Sequence, residues 1–167
     1  MVATNEVKID KDVANKRITV VKHFDAKPEH VWEAWTKQDI LDKWWAPKPW
    51  RAETKKLEFK ESGAWHYAML GPDNERQNAK ATFTKINAPK SFEVNDSFTD
   101  EKGFVDETMP QTHWKCEFRS SGAGTDVKII ITPKTERALE KNLEMGFEEG
   151  FKMALGNLDE YLEEKYR

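Results

Sequence analysis

The chain has 167 residues, a length typical of one domain that buries about 70% of the surface its unfolded form exposes. The single cysteine, Cys116, excludes an intramolecular disulfide and a multi-cysteine zinc site. A net charge of −3 without a long basic block makes nucleic acid a poor partner. The sequence has neither an apolar run near the roughly 18 residues of a membrane span nor a secretory signal. We therefore expect a soluble, cytoplasmic domain.

The N-terminal third predicts a leader, one strand and two short helices. Residues 1–16 are polar and aperiodic, which predicts a flexible leader, and residues 17–167 then form the single domain. Residues 17–24 (RITVVKHF) are rich in β-branched side chains, as in a strand. Pro28 suits the first position of a helix, and Thr36 could cap a second short helix. Pro47 and Pro49 end that second helix.

Between Trp50 and Thr132 the apolar period changes from helical to two. Trp65, Tyr67 and Met69 alternate with His66 and Ala68. In the same way, Trp114, Cys116 and Phe118 alternate with charged neighbours and His113. Such alternation indicates antiparallel strands with one apolar face. Turn signals separate six strands in this region, which makes about seven in all.

The C-terminal segment predicts one long amphipathic helix capped by Thr135. Its apolar residues recur at spacings of three and four, and its acids, such as Glu144, Glu148 and Glu149, lie off that stripe. A sheet with one apolar face and a helix with one apolar stripe must cover each other. The sequence therefore predicts an α+β fold in which a curved antiparallel sheet grips the helix, with a possible cavity between them.

Aromatic residues are the notable feature of the composition. The chain has seven tryptophans, and five of them lie between positions 32 and 50. Such residues build either a close-packed core or the wall of a pocket for a flat apolar molecule, and the sequence leaves both interpretations open. The candidate ligand-binding residues are Trp44, Trp45, Trp65, Tyr67, Met69, Trp114, Gly146, Phe147, Gly150 and Phe151.

Gly146 and Gly150 are candidates because interior glycine destabilises a helix by about 1 kcal/mol relative to alanine. Either the helix approaches the aromatic side chains of the sheet closely, or the glycines leave room for a ligand.

Motifs for catalysis and cofactors are missing. The four histidines lack metal-ligand spacing, and no nucleotide-binding loop or nucleophile elbow is present. Cys116 shares the parity of apolar neighbours, which predicts a buried, inert thiol. We therefore expect no catalytic residue, metal or cofactor. His66, His113 and Glu53 remain candidates for an acid or base at a cavity rim if the predicted strand parity is shifted by one.

Several ordered segments resemble one family. They are residues 24–45 (FDAKPEHVWEAWTKQDILDKWW), 63–75 (GAWHYAMLGPDNE), 96–103 (DSFTDEKG), Met109-Pro110 and 144–151 (EMGFEEGF). They are similar to START-like proteins of the SRPBCC superfamily, more narrowly to those homologous to the second domain of the activator of the heat-shock protein 90 ATPase. The likeness runs from about Ile18 to Leu162.

The resemblance implies a helix-grip fold with a hydrophobic cavity and a small-molecule or lipid ligand. Polyketide cyclases and aromatases of the wider superfamily imply a cyclase- or hydrolase-like enzyme as an alternative. Contact with a chaperone is a further alternative by family analogy. The leading expectation is a non-catalytic protein that binds a small hydrophobic or aromatic ligand. An exposed edge strand could also pair two copies into a homodimer.

Overall fold

The computed structural model describes residues 6–166. Its strands are β1 (Lys8–Asp12), β2 (Arg17–Phe24), β3 (Arg51–Leu57), β4 (Ala64–Leu70), β5 (Arg76–Asn87), β6 (Ser91–Thr99), β7 (Gln111–Ser121) and β8 (Gly124–Pro133). Its helices are α1 (Pro28–Thr36), α2 (Gln38–Trp44), α3 (Glu136–Glu144) and α4 (Phe147–Lys165). The strands form one antiparallel sheet in the order β1-β2-β8-β7-β6-β5-β4-β3. This arrangement confirms the predicted α+β helix-grip fold.

The apolar face of the sheet follows the predicted alternation. In β7, Trp114, Cys116 and Phe118 are buried, while the residues between them keep exposed surface. In β8, Val127, Ile129 and Ile131 are buried in the same way. These side chains join those of α1, α2 and α4 in one hydrophobic core. Each strand therefore contributes one face to the gap between sheet and helices.

The first strand was not predicted. Residues 1–16 were expected to form a flexible leader, but β1 pairs antiparallel with β2, from Lys8 opposite Val21 to Asp12 opposite Arg17. Strand pairing uses backbone groups, so it needs little side-chain patterning and left a weak signal in the sequence. Residues 1–5 lie outside the described part of the chain.

The helix starts are partly as predicted. Pro28 begins α1, and the Thr135 side chain accepts a hydrogen bond from the Ala138 backbone N–H at 3.0 Å as the cap of α3. The predicted Thr36 cap is wrong. Thr36 is the last residue of α1, and its hydroxyl donates to the Trp32 carbonyl at 2.9 Å, so Lys37 takes the cap position of α2.

The C-terminal segment contains two helices instead of the single helix predicted. Gly146 separates α3 from α4 and has φ +79°. A left-handed residue cannot continue a right-handed helix, and glycine adopts this conformation without a steric penalty. The apolar periodicity continues across the break, which is why the pattern alone suggested one helix.

Two polar contacts fix α4 to the rest of the fold. Asn157 is buried, and its side-chain amide donates to the carbonyls of Trp44 at 3.4 Å and Ala46 at 3.1 Å. Lys22 of β2 is 1% exposed, and its ammonium group lies 2.8 Å from the Asp159 carboxylate. These contacts hold α4 against the end of α2 and against β2. Within residues 6–166, no helix is both long and apolar enough to cross a membrane.

Candidate ligand-binding cavity

A cavity of about 380 Å³ lies between the sheet and the helices α3 and α4. Strands β4 to β8 form its floor, and the first turns of α4 cover it. Seven aromatic side chains line it: Trp45, Trp50, Tyr67, Phe98, Trp114, Phe147 and Phe151. The wall of this cavity is therefore largely aromatic.

Trp45 is at the centre of the aromatic wall. Its ring centroid lies 5.3 Å from that of Trp65, 5.7 Å from that of Trp114 and 6.1 Å from that of Phe151. These separations are typical of favourable edge-to-face and tilted contacts between rings. Trp45 reaches this position because it directly follows α2, whose last residue, Trp44, is buried.

Hydrogen bonds fix two of the neighbouring rings. The Trp114 indole N–H donates to the Thr112 hydroxyl at 2.9 Å. The Trp65 indole N–H donates to the Thr54 hydroxyl at 2.9 Å, and the Trp65 ring stacks on Tyr67 with centroids 3.9 Å apart. These contacts fix the orientations of Trp65 and Trp114.

Eight of the ten predicted ligand-binding residues line the cavity: Trp45, Tyr67, Met69, Trp114, Gly146, Phe147, Gly150 and Phe151. Trp65 instead lines a smaller inner void of about 30 Å³ that shares Trp45 and Tyr67 with the larger cavity. Trp44 lies elsewhere, because it is 1% exposed and its indole N–H donates to the Ala34 carbonyl at 2.9 Å. That contact turns the Trp44 ring into the core and away from the cavity.

One carboxyl group, which the sequence interpretation missed, lies in this aromatic wall. Asp96 of β6 lines both the cavity and the inner void. The Tyr67 hydroxyl donates to Asp96 Oδ1 at 3.3 Å. Protein atoms surround the Asp96 carboxyl, although the side chain keeps some exposed surface where it opens onto the cavity. Burial raises the pKa of Asp96 to about 7, and the Tyr67 hydrogen bond opposes that rise.

The polar groups around Asp96 are few. Burial and the nearby Asp96 carboxyl raise the pKa of the Tyr67 phenol well above its usual value. The Trp45 indole N–H interacts with the Tyr67 phenol and opposes that rise. The cavity therefore offers the Asp96 carboxyl to a molecule that enters it.

The two glycines differ in role. An added Cβ at Gly150 would meet the Pro47 ring at 3.7 Å, which is ordinary contact, and one at Gly146 would meet nothing within 4 Å. Neither glycine is needed for a close helix–sheet approach. Gly146 is explained by its left-handed backbone, and Gly150 by the space it leaves beside Pro47 at the cavity wall.

The other ionisable candidates lie outside the cavity. His113 contacts Asn95 at 2.7 Å and Glu93 at 3.0 Å, while Glu53 lies 3.7 Å from Arg76. Neither they nor His66 line the cavity, which agrees with the predicted strand parity. Burial raises the pKa of the Cys116 thiol far above neutrality, so this thiol is inert. The described residues contain no group of three or more His, Cys, Asp or Glu side chains that could hold a metal ion.

Alternation in β6 could have identified Asp96. Phe92, Val94 and Phe98 share its parity and face the same side of the sheet. Asp96 lies between two apolar residues of the same parity in the sequence, and this position is the signal for its direction. Pro47 and Trp50, which also line the cavity, follow α2 in a loop where no periodicity could indicate their direction.

Solved structures of similar fold are numerous. A protein from Arthrobacter aurescens is 34% identical over 94% of this chain and 91% of its own, with a TM-score of 0.89. The protein Ms6760 from Mycobacterium smegmatis is 26% identical over 94% and 97%, with a TM-score of 0.87. A protein from Staphylococcus epidermidis is 26% identical over 95% and 94%, with a TM-score of 0.83. No curated protein matches this chain.

The family match agrees with the fold and the cavity. The model of the family described as "Activator of Hsp90 ATPase homolog 1-like protein" matches residues 25–163, which span α1 to α4. The match covers most of the chain and every element that lines the cavity. This chain is a member of the activator of Hsp90 ATPase homolog 1-like family, whose helix-grip fold is one that binds ligands.

Proposed function

We propose that the protein binds a small, mostly apolar or aromatic molecule in the cavity between the sheet and α4. The observation that carries the proposal is the cavity itself, about 380 Å³ in volume and lined by seven aromatic side chains. Ligand pockets in proteins commonly have volumes of about 300–1,000 Å³ and apolar walls with a few polar groups. A molecule with one or two fused rings suits this space.

The energetics support an occupant. Protein interiors are close-packed, and the walls of an unfilled apolar space lose dispersion contacts. A ligand that fills the space restores those contacts and removes its own apolar surface from water, which contributes roughly 25 cal/mol per Å². The rings are already fixed by the Trp114–Thr112 and Trp65–Thr54 hydrogen bonds, so little ordering is needed on binding.

Two measurements test the proposal. Native mass spectrometry of protein purified gently from its own host would detect a retained small molecule by its added mass. Titration with N-phenyl-1-naphthylamine, a neutral dye that fluoresces in apolar surroundings, would measure the affinity of the cavity directly. We expect saturable dye binding with a stoichiometry of one.

A matched pair of variants locates the binding site. Gly150→Leu places a branched side chain at the cavity wall beside Pro47, and we expect it to weaken dye binding at least tenfold. Gly156→Leu puts the same side chain on the same helix at a position that does not line the cavity and where an added Cβ meets nothing within 4 Å. It should bind like the wild type. Equal affinities in the two variants, or no saturable binding to the wild type, would refute the proposal.

The Asp96 carboxyl favours one alternative function, an enzyme that transfers a proton on a bound substrate. A general acid or base works best when its pKa is near the working pH, and burial brings that of Asp96 to about 7. On this alternative, the wild type converts the molecule found by native mass spectrometry, and Asp96→Asn binds it without conversion. A ligand that keeps its covalent structure by NMR and takes up no deuterium during long incubation with the wild type in heavy water would exclude it.

Contact with a chaperone, a cytoplasmic location and a homodimer stay predictions. Chaperone contact rests on family membership. A homodimer would use one of the two outer strands of the sheet, β1 or β3.

A further inference from the structure

The cavity combines a carboxyl group with aromatic faces but has no basic side chain. Lysine, arginine and histidine are missing from its lining within residues 6–166. The Tyr67 hydroxyl is the hydrogen-bond partner of Asp96 in that part of the chain, and no cation there lies within salt-bridge distance of Asp96. Among the described residues, this acid therefore lies in an apolar wall without a counter-charge.

A buried carboxylate without a cation is unfavourable, since its lost hydration is not replaced. Such a group either keeps its proton or pairs with a cation that a ligand brings. An anionic ligand in the cavity would add a second negative charge close to the Asp96 carboxylate. Two like charges that are close together repel strongly in apolar surroundings. The charge of the wall therefore disfavours anions.

The aromatic rings point to the same ligand charge. The face of an aromatic ring carries partial negative charge and attracts organic cations, and tryptophan does so most strongly. Trp45, Tyr67 and Trp114 line the cavity together with Asp96. The aromatic rings and the carboxyl group thus favour a positively charged group of the ligand beside Asp96. The remaining apolar wall favours a hydrophobic remainder of the ligand.

From this geometry we infer that the ligand carries a protonated amine on a flat apolar body, and that the amine pairs with the Asp96 carboxylate. The inference rests on the proposed function and specifies its ligand class. Binding of the amine to protonated Asp96 releases the carboxyl proton to solvent. Tyr67, which donates to Asp96, can direct its hydroxyl to the same carboxylate in the complex.

No other side chain that lines the cavity or the inner void within residues 6–166 has a pKa near neutrality. Tyr67 of β4, which donates to Asp96, and Cys116 of β7, which lines the inner void with it, both have a raised pKa. The remaining side chains that share its cavity or inner void from other elements are uncharged, and they include Ala81 of β5, Trp45 after α2, Asn142 of α3 and Phe151 of α4. A pH-dependence of amine binding near neutrality therefore reports on Asp96.

Three probes with one ring system test the inference by calorimetric titration. They are 1-naphthylmethylamine, which is cationic, 1-naphthalenemethanol, which is neutral, and 1-naphthoate, which is anionic. At pH 8 we expect the amine to bind at least tenfold more tightly than the alcohol, and the naphthoate to bind most weakly. Amine affinity should fall by tenfold or more from pH 8 to pH 5.5, as Asp96 becomes protonated.

Variants assign the preference to one side chain. Asp96→Asn keeps the size of the side chain, and it should bring the amine to the affinity of the alcohol while leaving the alcohol nearly unchanged. Glu93→Gln removes an acid from the opposite face of the same strand, where Glu93 contacts His113, and should leave all three affinities unchanged. Near-ultraviolet circular dichroism checks that each variant is folded.

The outcomes separate the inference from the proposed function. If the alcohol binds but the amine binds no more tightly, or if Asp96→Asn weakens both probes equally, the inference is wrong and the proposed function stands. If the alcohol and the dye both fail to bind to the wild type, the proposed function is wrong and the inference falls with it.

Discussion

The two ends of α4 cover the same sheet in different ways. From Leu155 onward, the buried residues of α4 pack into a filled core: Leu155 and Leu158 are fully buried, and Leu162 is 5% exposed. From Gly146 to Ala154, the same helix covers the cavity with Phe147, Gly150 and Phe151. We call these the packed end and the hollow end.

An interior acid lies at each end: Asp159 of α4 itself at the packed end, and Asp96 of β6 in the cavity at the hollow end. The two acids differ in their partners. At the packed end, Asp159 lies 2.8 Å from the buried Lys22 ammonium. At the hollow end, Asp96 has the Tyr67 hydroxyl as its hydrogen-bond partner. Burial raises the pKa of both acids, and Lys22 opposes that rise for Asp159. At the packed end, a lysine of the protein thus neutralises the acid. At the hollow end, we propose that a cationic group of the ligand does so.

Truncating a leucine at each end gives the largest expected difference. Leu158→Ala removes a fully buried side chain and should lower the free energy of unfolding by about 3 kcal/mol, because a cavity remains in a filled core. Leu143→Ala, on α3 near the hollow end, removes a side chain that is only partly buried, and it should cost about 1 kcal/mol. Urea denaturation measures both. Equal losses would mean that the two ends are equally well packed.

The charge of Asp96 should make stability depend on pH. Its pKa is about 7 in the folded state against 3.8 for the free side chain, so the folded protein holds this proton more tightly than the unfolded chain. As pH rises from 4 to 8 the unfolded chain ionises first, and the wild type should lose stability relative to Asp96→Asn, which cannot titrate. One pKa unit corresponds to about 1.4 kcal/mol, and because the Asp96 side chain keeps some exposed surface we expect a relative loss of about 2 kcal/mol.

Urea denaturation of both proteins at several pH values measures this difference, and other carboxyl groups cancel because both proteins share them. Well below pH 3.8, the pKa of the free side chain, Asp96 is protonated in both the folded and the unfolded wild type, so its penalty is absent there. A difference that stays constant between pH 4 and pH 8 would show that Asp96 ionises as freely in the fold as in water.

The smallest expected effect concerns the two glycines of the hollow end. Replacement by alanine should raise the stability of the protein at one position and lower it at the other. Gly150→Ala lies inside α4 with room for the methyl group beside Pro47, and it should stabilise the protein by up to about 1 kcal/mol through helix propensity. Gly146→Ala forces a side chain into a left-handed backbone with φ +79° and should destabilise it by about 1 kcal/mol. Thermal unfolding compares them, and a shift of the same sign in both would show that backbone conformation is not what distinguishes them.

Alternation and helical spacing were sufficient to predict most of the fold. The parity of Trp114, Cys116 and Phe118 in β7 was confirmed, because a side chain on a strand can point only to one of two faces. The strand β1 and the break at Gly146 were not predicted, because neither depends on which face a side chain occupies. Backbone pairing and a single backbone dihedral angle leave little trace in apolar patterning.

The candidate site was predicted less completely. Parity brought Tyr67, Met69 and Trp114 to the correct side of the sheet, but parity cannot distinguish a ring that fills the core from one that lines a cavity. Trp44 and Trp45 show this limit. They are neighbours in sequence, yet one donates to the Ala34 carbonyl inside the core while the other lines the cavity.

The sequence by itself determined which side chains face the gap between sheet and helix, since the periods of strands and helices are local properties. Tertiary structure alone decided where that gap is filled and where it is hollow, since free volume depends on how several elements meet. It also decided that Asp96 would lie among aromatic rings with no basic side chain from residues 6–166 in the same cavity lining. The charge environment of a residue is set by neighbours that are distant in the chain.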